Sequence, residues 1–466
     1  RVGDSAVAVV ADSWWRAKAA LAALAVTWDA GNNGNVTSAT IADFLKDGLD
    51  AEQAIIGNQA GDIKAALNGA AKVVEAVYSF PYRIHACMEP INATALHTSD
   101  RCQVWCSTQN GEGALAAAAK ASGLPPAQCD VYKTYVGGGF GRRGSSDYVA
   151  QAVEVAKQLP GTPIKVLWSR EEDSTHDEYH PITMCRMRGA LDAGNKLVGL
   201  HMRISGQSIL AYQAPSHMQN GKDPLTFQTL NPGGAEGVFG YGVPNLLIDH
   251  AMRNPPIPAG FWRAVNSNQN AFYVESFMDE LAHAAGQDPL AFRLNYLKPK
   301  HAAVLKAAAA KAGYGAPAPQ GVYRGLAQIM ANASYAAACA EVSVDNGRVK
   351  VRRMVGAINP GYAVNPEQIA RQVEGSFVYG LSSLLYGECT IRGGQVEQTN
   401  FDTWQVMRID DMPKVEVVVM PDGEAWGGVG EPATPLAAPA VANAVFAATG
   451  KRLRSVPIRP GDLRSA

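Results

Sequence analysis

Residues 425–450, AWGGVGEPATPLAAPAVANAVFAATG, place one carboxylate, Glu431, in a glycine-rich turn directly before an apolar helix. The three glycines that precede Glu431 have no Cβ, so the backbone there can approach a ligand closely. The two prolines that follow it stiffen the entry into the helix. The segment therefore indicates either a catalytic carboxylate or an acid that interacts with the positive end of the helix macrodipole.

The composition of the whole chain is that of a globular protein with two or three domains. It has 466 residues, of which 47% are hydrophobic and 18% are charged. The 41 basic and 42 acidic residues give a net charge of −1, which argues against a nucleic-acid partner. No apolar stretch reaches the roughly 18–20 residues that a bilayer-spanning helix needs. We expect a small-molecule substrate.

The periodicities predict an α+β fold, because strands and helices alternate without regular βαβ spacing. Hairpins are expected to turn at 192–195, 345–347 and 393–394, where Gly, Asn and Asp tolerate positive φ. The predicted helices are 13–24, 114–122, 148–158, 270–297 with breaks at Gly286 and Pro289, 302–311, 366–385 and the helix after Glu431; the predicted strands outside the hairpins are 6–10, 25–29, 164–168 and 414–420.

Seven scattered cysteines and one pair of histidines are the first residues to consider as metal ligands. The cysteines fit no common zinc or iron–sulfur spacing, so we expect buried apolar thiols, with a disulfide as the alternative. His176 and His180 are four residues apart, but Glu178 lies between them instead of beside one of them, as a zinc protease helix requires. We expect a solvated polar loop at 176–180.

A second glycine-rich segment, 135–144, reads YVGGGFGRRG. Its consecutive glycines leave backbone N–H groups unshielded, which suits phosphate or oxo oxygens, and Arg142 and Arg143 can neutralise their charge. Three of its glycines also spell G-x-G-x-x-G, but the acid expected about 20 residues later is missing. The segment is a candidate cofactor loop, with a flexible loop and a nucleotide-binding module as the alternatives.

Three further motifs are Ser-Thr-Gln-Asn at 107–110, Ala-Gly-Phe-Trp-Arg-Ala at 259–264 and Gln-Val-Glu-Gly-Ser-Phe at 372–377. In this order, together with Gly-Gly-Gly-Phe-Gly at 137–141 and Gly-Val-Gly-Glu-Pro at 428–432, they resemble the molybdenum-binding large subunit of the xanthine oxidase family. The resemblance covers essentially the whole chain. It is greatest to the bacterial branch that includes isoquinoline 1-oxidoreductase and membrane-linked aldehyde dehydrogenases.

The resemblance implies a role for each motif. Glu431 matches the active-site glutamate of the family and is expected to be the general base. Gln109 matches a glutamine that hydrogen-bonds an oxo ligand of molybdenum, and Phe140 matches a phenylalanine whose backbone N–H points at the metal site. The implied cofactor-binding residues are Gln109, Gly138, Gly139, Phe140, Gly141, Arg142, Arg263, Gln372 and Gly430. No protein side chain is expected to ligate the metal, because the pterin dithiolene holds molybdenum.

Two stretches depart from the family pattern. Gly-Arg-Arg-Gly at 141–144 stands where some members have Gly-Gly-Lys-Glu, so the role of that glutamate cannot be carried over. Ala-Val-Asn-Ser at 264–267 stands where others have Gly-Phe-Gly-Gly, in a form that is similar to the bacterial branch.

The implied architecture is α+β, with two large intertwined molybdopterin-binding domains preceded by the end of an α/β hammerhead-like domain. We assign residues 1–28 to that end, 29–70 to a linker, 71–300 to the first molybdopterin-binding domain and 301–466 to the second, which carries Glu431. The sequence contains no Met-Gly-Gln-Gly pterin-binding loop. We therefore expect either a split protein, in which another chain supplies this N-terminal segment, or a fragment.

The implied activity is that of a molybdenum hydroxylase that oxidises an aldehyde to a carboxylic acid with oxygen from water. Hydroxylation of an aromatic N-heterocycle of the isoquinoline or nicotinate type is the alternative, and a non-catalytic half of a split subunit is another. The expected cofactor is molybdenum with molybdopterin cytosine dinucleotide. The expected partners are a small subunit with 2Fe-2S clusters and a cytochrome c subunit, in a periplasmic, membrane-associated complex or alternatively in the cytoplasm.

Overall fold

The computed structural model describes residues 1–464, in which the chain forms thirteen α-helices and fifteen β-strands. The helices are α1 (Trp14–Ala23), α2 (Ser38–Leu49), α3 (Ile63–Asn68), α4 (Gly111–Ser122), α5 (Asp147–Lys157), α6 (Arg170–Thr175), α7 (Ile209–Gln213), α8 (Ser267–Ala284), α9 (Pro289–Leu294), α10 (Pro299–Ala312), α11 (Pro366–Tyr386), α12 (Ala437–Thr449) and α13 (Pro460–Leu463). The strands are β1 (Ile55–Ala60), β2 (Lys72–Phe80), β3 (Asn92–His97), β4 (Cys102–Cys106), β5 (Cys129–Lys133), β6 (Ile164–Leu167), β7 (Thr183–Leu191), β8 (Leu197–Gly206), β9 (Asn245–Met252), β10 (Tyr323–Ala331), β11 (Ser334–Asp345), β12 (Arg348–Asn359), β13 (Ile391–Arg392), β14 (Gln395–Val396) and β15 (Lys414–Val419). Across these described residues, none of the helices is long and apolar enough to cross a membrane.

Three sheets organise most of the strands. A five-stranded sheet has the order β1-β9-β8-β7-β2, and two four-stranded sheets have the orders β5-β4-β3-β6 and β10-β11-β12-β15. Each sheet mixes parallel and antiparallel pairs, and the helices do not follow a regular βαβ succession. The predicted α+β class is confirmed.

Local turn chemistry explains the hairpins that the sequence predicted. The β7–β8 turn has Asn195 at φ 58°, and the β11–β12 turn has Asn346 at 48° and Gly347 at 78°. These residues adopt the left-handed region at little steric cost, so both turns form where they were predicted. A third long hairpin, β10–β11, was missed, because Asn332 and Ala333 form its turn at φ 50° and 59° without a glycine.

The core helices α8 and α12 position two of the predicted motifs. All residues of α8 from Ser267 to Ala282 are buried, and α12 packs both on α8 and on β10. The approach of α12 to β10 requires a glycine, because a Cβ added to Gly325 would lie 2.2 Å from the backbone oxygen of Ala440. The segments directly before α8 and α12 carry Arg263 and Glu431, so this packing brings them together.

The N-terminal region differs from the prediction. Residues 6–10 and 25–29 are not strands, because the described chain offers them no neighbouring strand to complete a hydrogen-bonded ladder. The range 29–70, which we expected to be a linker, instead carries α2, β1 and α3. Strand β1 pairs antiparallel with β9, and α2 buries Leu45 completely. This range therefore contributes an edge strand to the five-stranded sheet and a helix that packs against the fold.

Candidate cofactor and catalytic site

Sheet topology places Gln109 beside the glycine loop, which we define as Gly137–Gly141. Gln109 follows β4 and the loop follows β5, and these strands are parallel neighbours, so both segments leave the same edge of the sheet. The backbone N–H of Gly141 donates to Oε1 of Gln109 at 3.1 Å. A Cβ added to Gly139 would lie 2.3 Å from the same oxygen, so a side chain there would displace Gln109.

Phe140 lies in the glycine loop with φ 54°, a left-handed conformation that is uncommon for a bulky residue. Its ring stacks on Tyr379 of α11 with a centroid distance of 4.3 Å, and Tyr379 stacks on Trp262 at the same distance. The Tyr379 hydroxyl donates to the backbone oxygen of His85 at 2.9 Å. Within residues 1–464 the backbone N–H of Phe140 has no acceptor, so it is free to donate to a ligand.

The glycine loop contacts a second loop, Phe261–Val265, which we call the arginine loop. A Cβ added to Gly141 would lie 1.4 Å from the backbone oxygen of Phe261, and Gly141 has φ 114°, so only glycine fits this position. The same Phe261 oxygen accepts a hydrogen bond from Nε2 of His85 at 2.9 Å. The two loops are therefore held in direct backbone contact.

His85 is held by a buried carboxylate that the sequence did not single out. Nδ1 of His85 lies 2.8 Å from Oδ1 of Asp177, and Nε2 faces the Phe261 carbonyl. Both partners only accept hydrogen bonds, so both ring nitrogens carry a proton and the ring is an imidazolium. Burial alone lowers the pKa of His85, but the charge and hydrogen bonds of Asp177 outweigh it and raise this pKa above its ordinary value.

The segment 176–180 is thus not the solvated loop that we expected. Asp177 and His180 are buried, because Asp177 holds His85 and the ring of His180 packs between Phe80 and Trp262. His176 is exposed, so the two histidines do not share a site. In the described part of the chain there is no cluster of three or more metal-ligating side chains. All seven cysteines are buried and free, which confirms their prediction as apolar thiols.

The two arginines after the glycine loop face the protein interior. Arg142 donates to both carboxylate oxygens of Asp147, at 3.0 and 2.8 Å, and its Nε lies 3.2 Å from Asp177. Arg143 donates to Oε2 of Glu89 at 3.0 Å and to the backbone oxygen of Gly138 at 2.7 Å. These carboxylates neutralise the charges of both arginines, so the arginines do not neutralise the charge of a bound anion as we expected. They brace the glycine loop instead.

Arg263 joins the arginine loop to α11 and to the turn before Glu431. Its Nε and Nη2 donate to the backbone oxygen of Gly430 at 2.8 and 2.6 Å. Nη2 also reaches Ser376 Oγ at 3.1 Å and Gln372 Oε1 at 3.2 Å. Burial lowers the pKa of Arg263, while the nearby Tyr379 and Glu431 oppose this shift.

Glu431 is half-buried, and each of its carboxylate oxygens accepts one hydrogen bond. Oε1 accepts from the backbone N–H of Ala264 at 3.0 Å, and Oε2 accepts from Nδ2 of Asn332 at 2.9 Å. Ala264 and Val265 have φ 75° and 48°, and such backbone strain in a β-branched residue is typical of functional sites. The carboxylate orientation is therefore fixed from two sides, one of which, Asn332, the sequence did not reveal.

The structure brings the predicted motifs into one continuous site. Gln109 contacts the glycine loop, the glycine loop contacts the arginine loop, and the arginine loop contacts both Gln372 and Glu431. Gln109 and Gln372 are exposed, and the side chains of Arg263 and Glu431 are half-buried, so the site is open to solvent in the described chain. Residues that the sequence missed, His85, Asp177, Tyr379 and Asn332, hold these motifs in place.

Comparison with known proteins gives two family matches. Both families are described as molybdopterin cofactor-binding domains; the first matches residues 49–297 and the second matches residues 270–413. The first match alone spans more than half of the chain.

Individual relatives match over almost all of this chain. It is 28% identical to the membrane-bound aldehyde dehydrogenase (pyrroloquinoline-quinone) of Gluconacetobacter polyoxogenes, with 98% of this chain and 62% of the relative covered. It is 27% identical to isoquinoline 1-oxidoreductase subunit beta of Brevundimonas diminuta, with 97% and 60% covered. The chain thus spans about three fifths of the length of these relatives. The solved structure of quinoline 2-oxidoreductase from Pseudomonas putida 86 shares the fold, with a TM-score of 0.79 at 14% identity over 97% of this chain and 84% of that one.

Proposed function

This chain belongs to the xanthine oxidase family of molybdopterin-binding subunits, and on that premise we propose that it is the catalytic part of a molybdenum-dependent aldehyde dehydrogenase. The reaction oxidises an aldehyde to a carboxylic acid with oxygen from water. The observation that carries the proposal is the carboxylate of Glu431, fixed by two hydrogen bonds within a loop that touches the glycine loop.

The residues of the site fit a molybdopterin group. The unpaired N–H of Phe140 can donate to an oxygen of the group, and the glycines on either side leave its approach unobstructed. Gln109 and Gln372 offer amide groups on the exposed rim, and Arg263 fixes the turn at Gly430. When bound, the molybdenum group supplies the two-electron chemistry, while the protein supplies orientation and electrostatics.

Within this arrangement Glu431 accepts a proton as general base. Its carboxylate is already oriented by Ala264 and Asn332, so no side-chain ordering is needed at the moment of proton transfer. The neighbouring Arg263 donates to the backbone oxygen of Gly430, which holds the residue before Glu431 in place. Side chains therefore orient the reactants and move the proton.

The test is Glu431→Gln in the complex as purified from its host, with acetaldehyde and benzaldehyde as substrates and an artificial dye as electron acceptor. We expect normal molybdenum content and a loss of turnover of about 10²–10⁴-fold, as for removal of a general base. Glu424→Gln is the matched control, because Glu424 is an exposed carboxylate in the same segment that pairs with Lys300 at 2.7 Å. Near-normal turnover of a molybdenum-replete Glu431→Gln enzyme would refute the assignment.

We further propose molybdopterin cytosine dinucleotide as the form of the cofactor. Both family matches concern molybdopterin, which is why we do not propose the quinone in the name of the Gluconacetobacter relative. Metal analysis of the purified complex, with nucleotide release by acid, tests this form. Molybdenum and cytidine monophosphate in equal amounts are expected; a different nucleotide would contradict it.

Partner chains are proposed from the exposure of two regions. Helix α1 buries no residue; Trp15 within it is 74% exposed, and Trp28, which follows it, is 62% exposed. The site itself is open to solvent in the described chain. We therefore propose that a further segment or chain, which supplies a pterin-binding loop, covers both. A 2Fe-2S small subunit and a cytochrome c subunit would carry the electrons, in a periplasmic complex that is attached to the membrane through a partner.

The second candidate is hydroxylation of an aromatic N-heterocycle, which the isoquinoline relative favours. The same residues would serve both reactions, because each needs one base and one cofactor loop. Dye reduction by isoquinoline or nicotinate, compared with dye reduction by aldehydes at equal concentration, separates the two. Turnover of the heterocycles alone would replace the aldehyde proposal.

A further inference from the structure

Two unusual turns meet at the carboxylate of Glu431. One is Ala264–Val265 of the arginine loop, and the other is Asn332–Ala333 between β10 and β11. All four residues have positive φ although none of them is glycine. Each turn gives one hydrogen bond to Glu431, from the backbone of the first and from the side chain of the second.

We propose that Asn332 is a positioning residue that sets the direction from which Glu431 accepts its proton. This inference rests on the proposed role of Glu431 as general base. A carboxylate has about four lone-pair positions, and the donors from Ala264 and Asn332 occupy one on each oxygen. Rotation of the carboxylate would break both hydrogen bonds. The lone pairs that stay free to accept a proton therefore keep a fixed direction.

The turn that carries Asn332 is itself fastened to the segment of Glu431. The backbone N–H of Gly428 donates to the backbone oxygen of Asn332 at 2.7 Å, and Ser334 Oγ donates to the backbone oxygen of Gly428 at 2.7 Å. A Cβ added to Gly428 would lie 3.0 Å from Cβ of Asn332, so the glycine permits this close approach. Asn332 therefore sits at a fixed distance from Glu431.

An asparagine suits this position for two separate reasons. Asn tolerates the left-handed conformation better than most residues, so it stabilises the turn. Its amide nitrogen also donates to a carboxylate, which only accepts hydrogen bonds, so the nitrogen and not the oxygen faces Glu431. A purely structural role would need only the first property, and substitutions can separate the two.

Asn332→Gly is the decisive variant, because glycine keeps the turn conformation and removes the amide. We expect unchanged molybdenum content, a fall in kcat of about 10- to 100-fold from the loss of a hydrogen bond to a charged group, and a KM for benzaldehyde within about threefold of wild type. A fall in kcat at unchanged KM and molybdenum content separates a positioning role from a purely structural one, which would also lower the molybdenum content.

Ala333→Gly is the matched control, because it changes the same turn and keeps the amide of Asn332. We expect wild-type kcat and KM for it. Asn332→Asp is the second test if Asn332→Gly does not fold: its carboxylate cannot donate to Glu431, so kcat should fall at unchanged molybdenum content.

The outcomes distinguish this inference from the proposed function. If the wild-type complex holds no molybdenum or Glu431→Gln keeps full turnover, the proposed function fails. If Glu431→Gln is inactive but Asn332→Gly keeps the kcat of the wild type, only the role of Asn332 is overturned. If only Asn332→Asp folds, an unchanged kcat in that variant overturns it in the same way.

Discussion

Gly141→Ala tests whether the contact between the glycine loop and the arginine loop is required for catalysis. The added Cβ would lie 1.4 Å from the backbone oxygen of Phe261. Real Cβ contacts are longer than 3.0 Å, so one loop must move by at least about 1.6 Å, in addition to about 1–3 kcal/mol of backbone strain at φ 114°. A displacement of about 1 Å at a catalytic site costs on the order of 10²-fold in rate. We therefore expect kcat/KM to fall by about 10²-fold or more.

The assay is dye reduction with benzaldehyde, together with molybdenum content and thermal unfolding of the purified complex. Gly144→Ala is the matched control: Gly144 follows the glycine loop, has no atom within 4 Å of an added Cβ and needs no positive φ. It should retain wild-type activity. If Gly141→Ala keeps wild-type kcat/KM and cofactor content, the backbone contact with Phe261 has no role in the site.

Two further predictions concern the groups that connect the loops. Arg263→Lys should lower kcat/KM by about 10- to 100-fold, because lysine has no second nitrogen to replace Nε on the Gly430 oxygen and no planar fork that holds Nη2 against Ser376 and Gln372. Steady-state kinetics with benzaldehyde measures this, and unchanged kinetics would contradict it. Because the pKa of His85 is raised in the folded chain, its stabilising contribution is complete below the unfolded value of about 6.5 and is lost as pH rises through the folded value. In His85→Gln the free energy of unfolding should no longer decline above about pH 6.5. Urea unfolding at several pH values measures this, and a decline equal to that of the wild type would contradict the prediction.

The sequence predicted those parts of the fold and site that depend on local chemistry. The hairpin turns at Asn195 and Gly347 follow from residues that tolerate positive φ, and helices α4, α5, α10 and α11 follow from their apolar periodicity. For these turns and helices the information lies within a few neighbouring residues. The site motifs are weak one by one and were recognised because five of them occur in the order found in the xanthine oxidase family.

The remaining parts depend on contacts between distant segments. Asp177 reads as a polar loop residue until the fold buries it against His85, which lies 92 positions earlier. Asn332 has no local signal beyond its turn, and its partner Glu431 is 99 positions later. The strands predicted at 6–10 and 25–29 fail for the same reason, since strand formation needs a partner that the local pattern does not contain.

The hydrogen bond between Tyr379 and His85 has a consequence for biosynthesis. It joins positions 294 residues apart, and the bonds from Arg263 to Gly430 and from Ala264 to Glu431 each span 167. Translation proceeds from the N-terminus, so Gln109 and the glycine loop leave the ribosome long before the turn at Gly430 exists. The site is complete only after residue 431 has been synthesised. Cofactor insertion therefore follows synthesis of Glu431, and a chain that ends before this residue has no complete site.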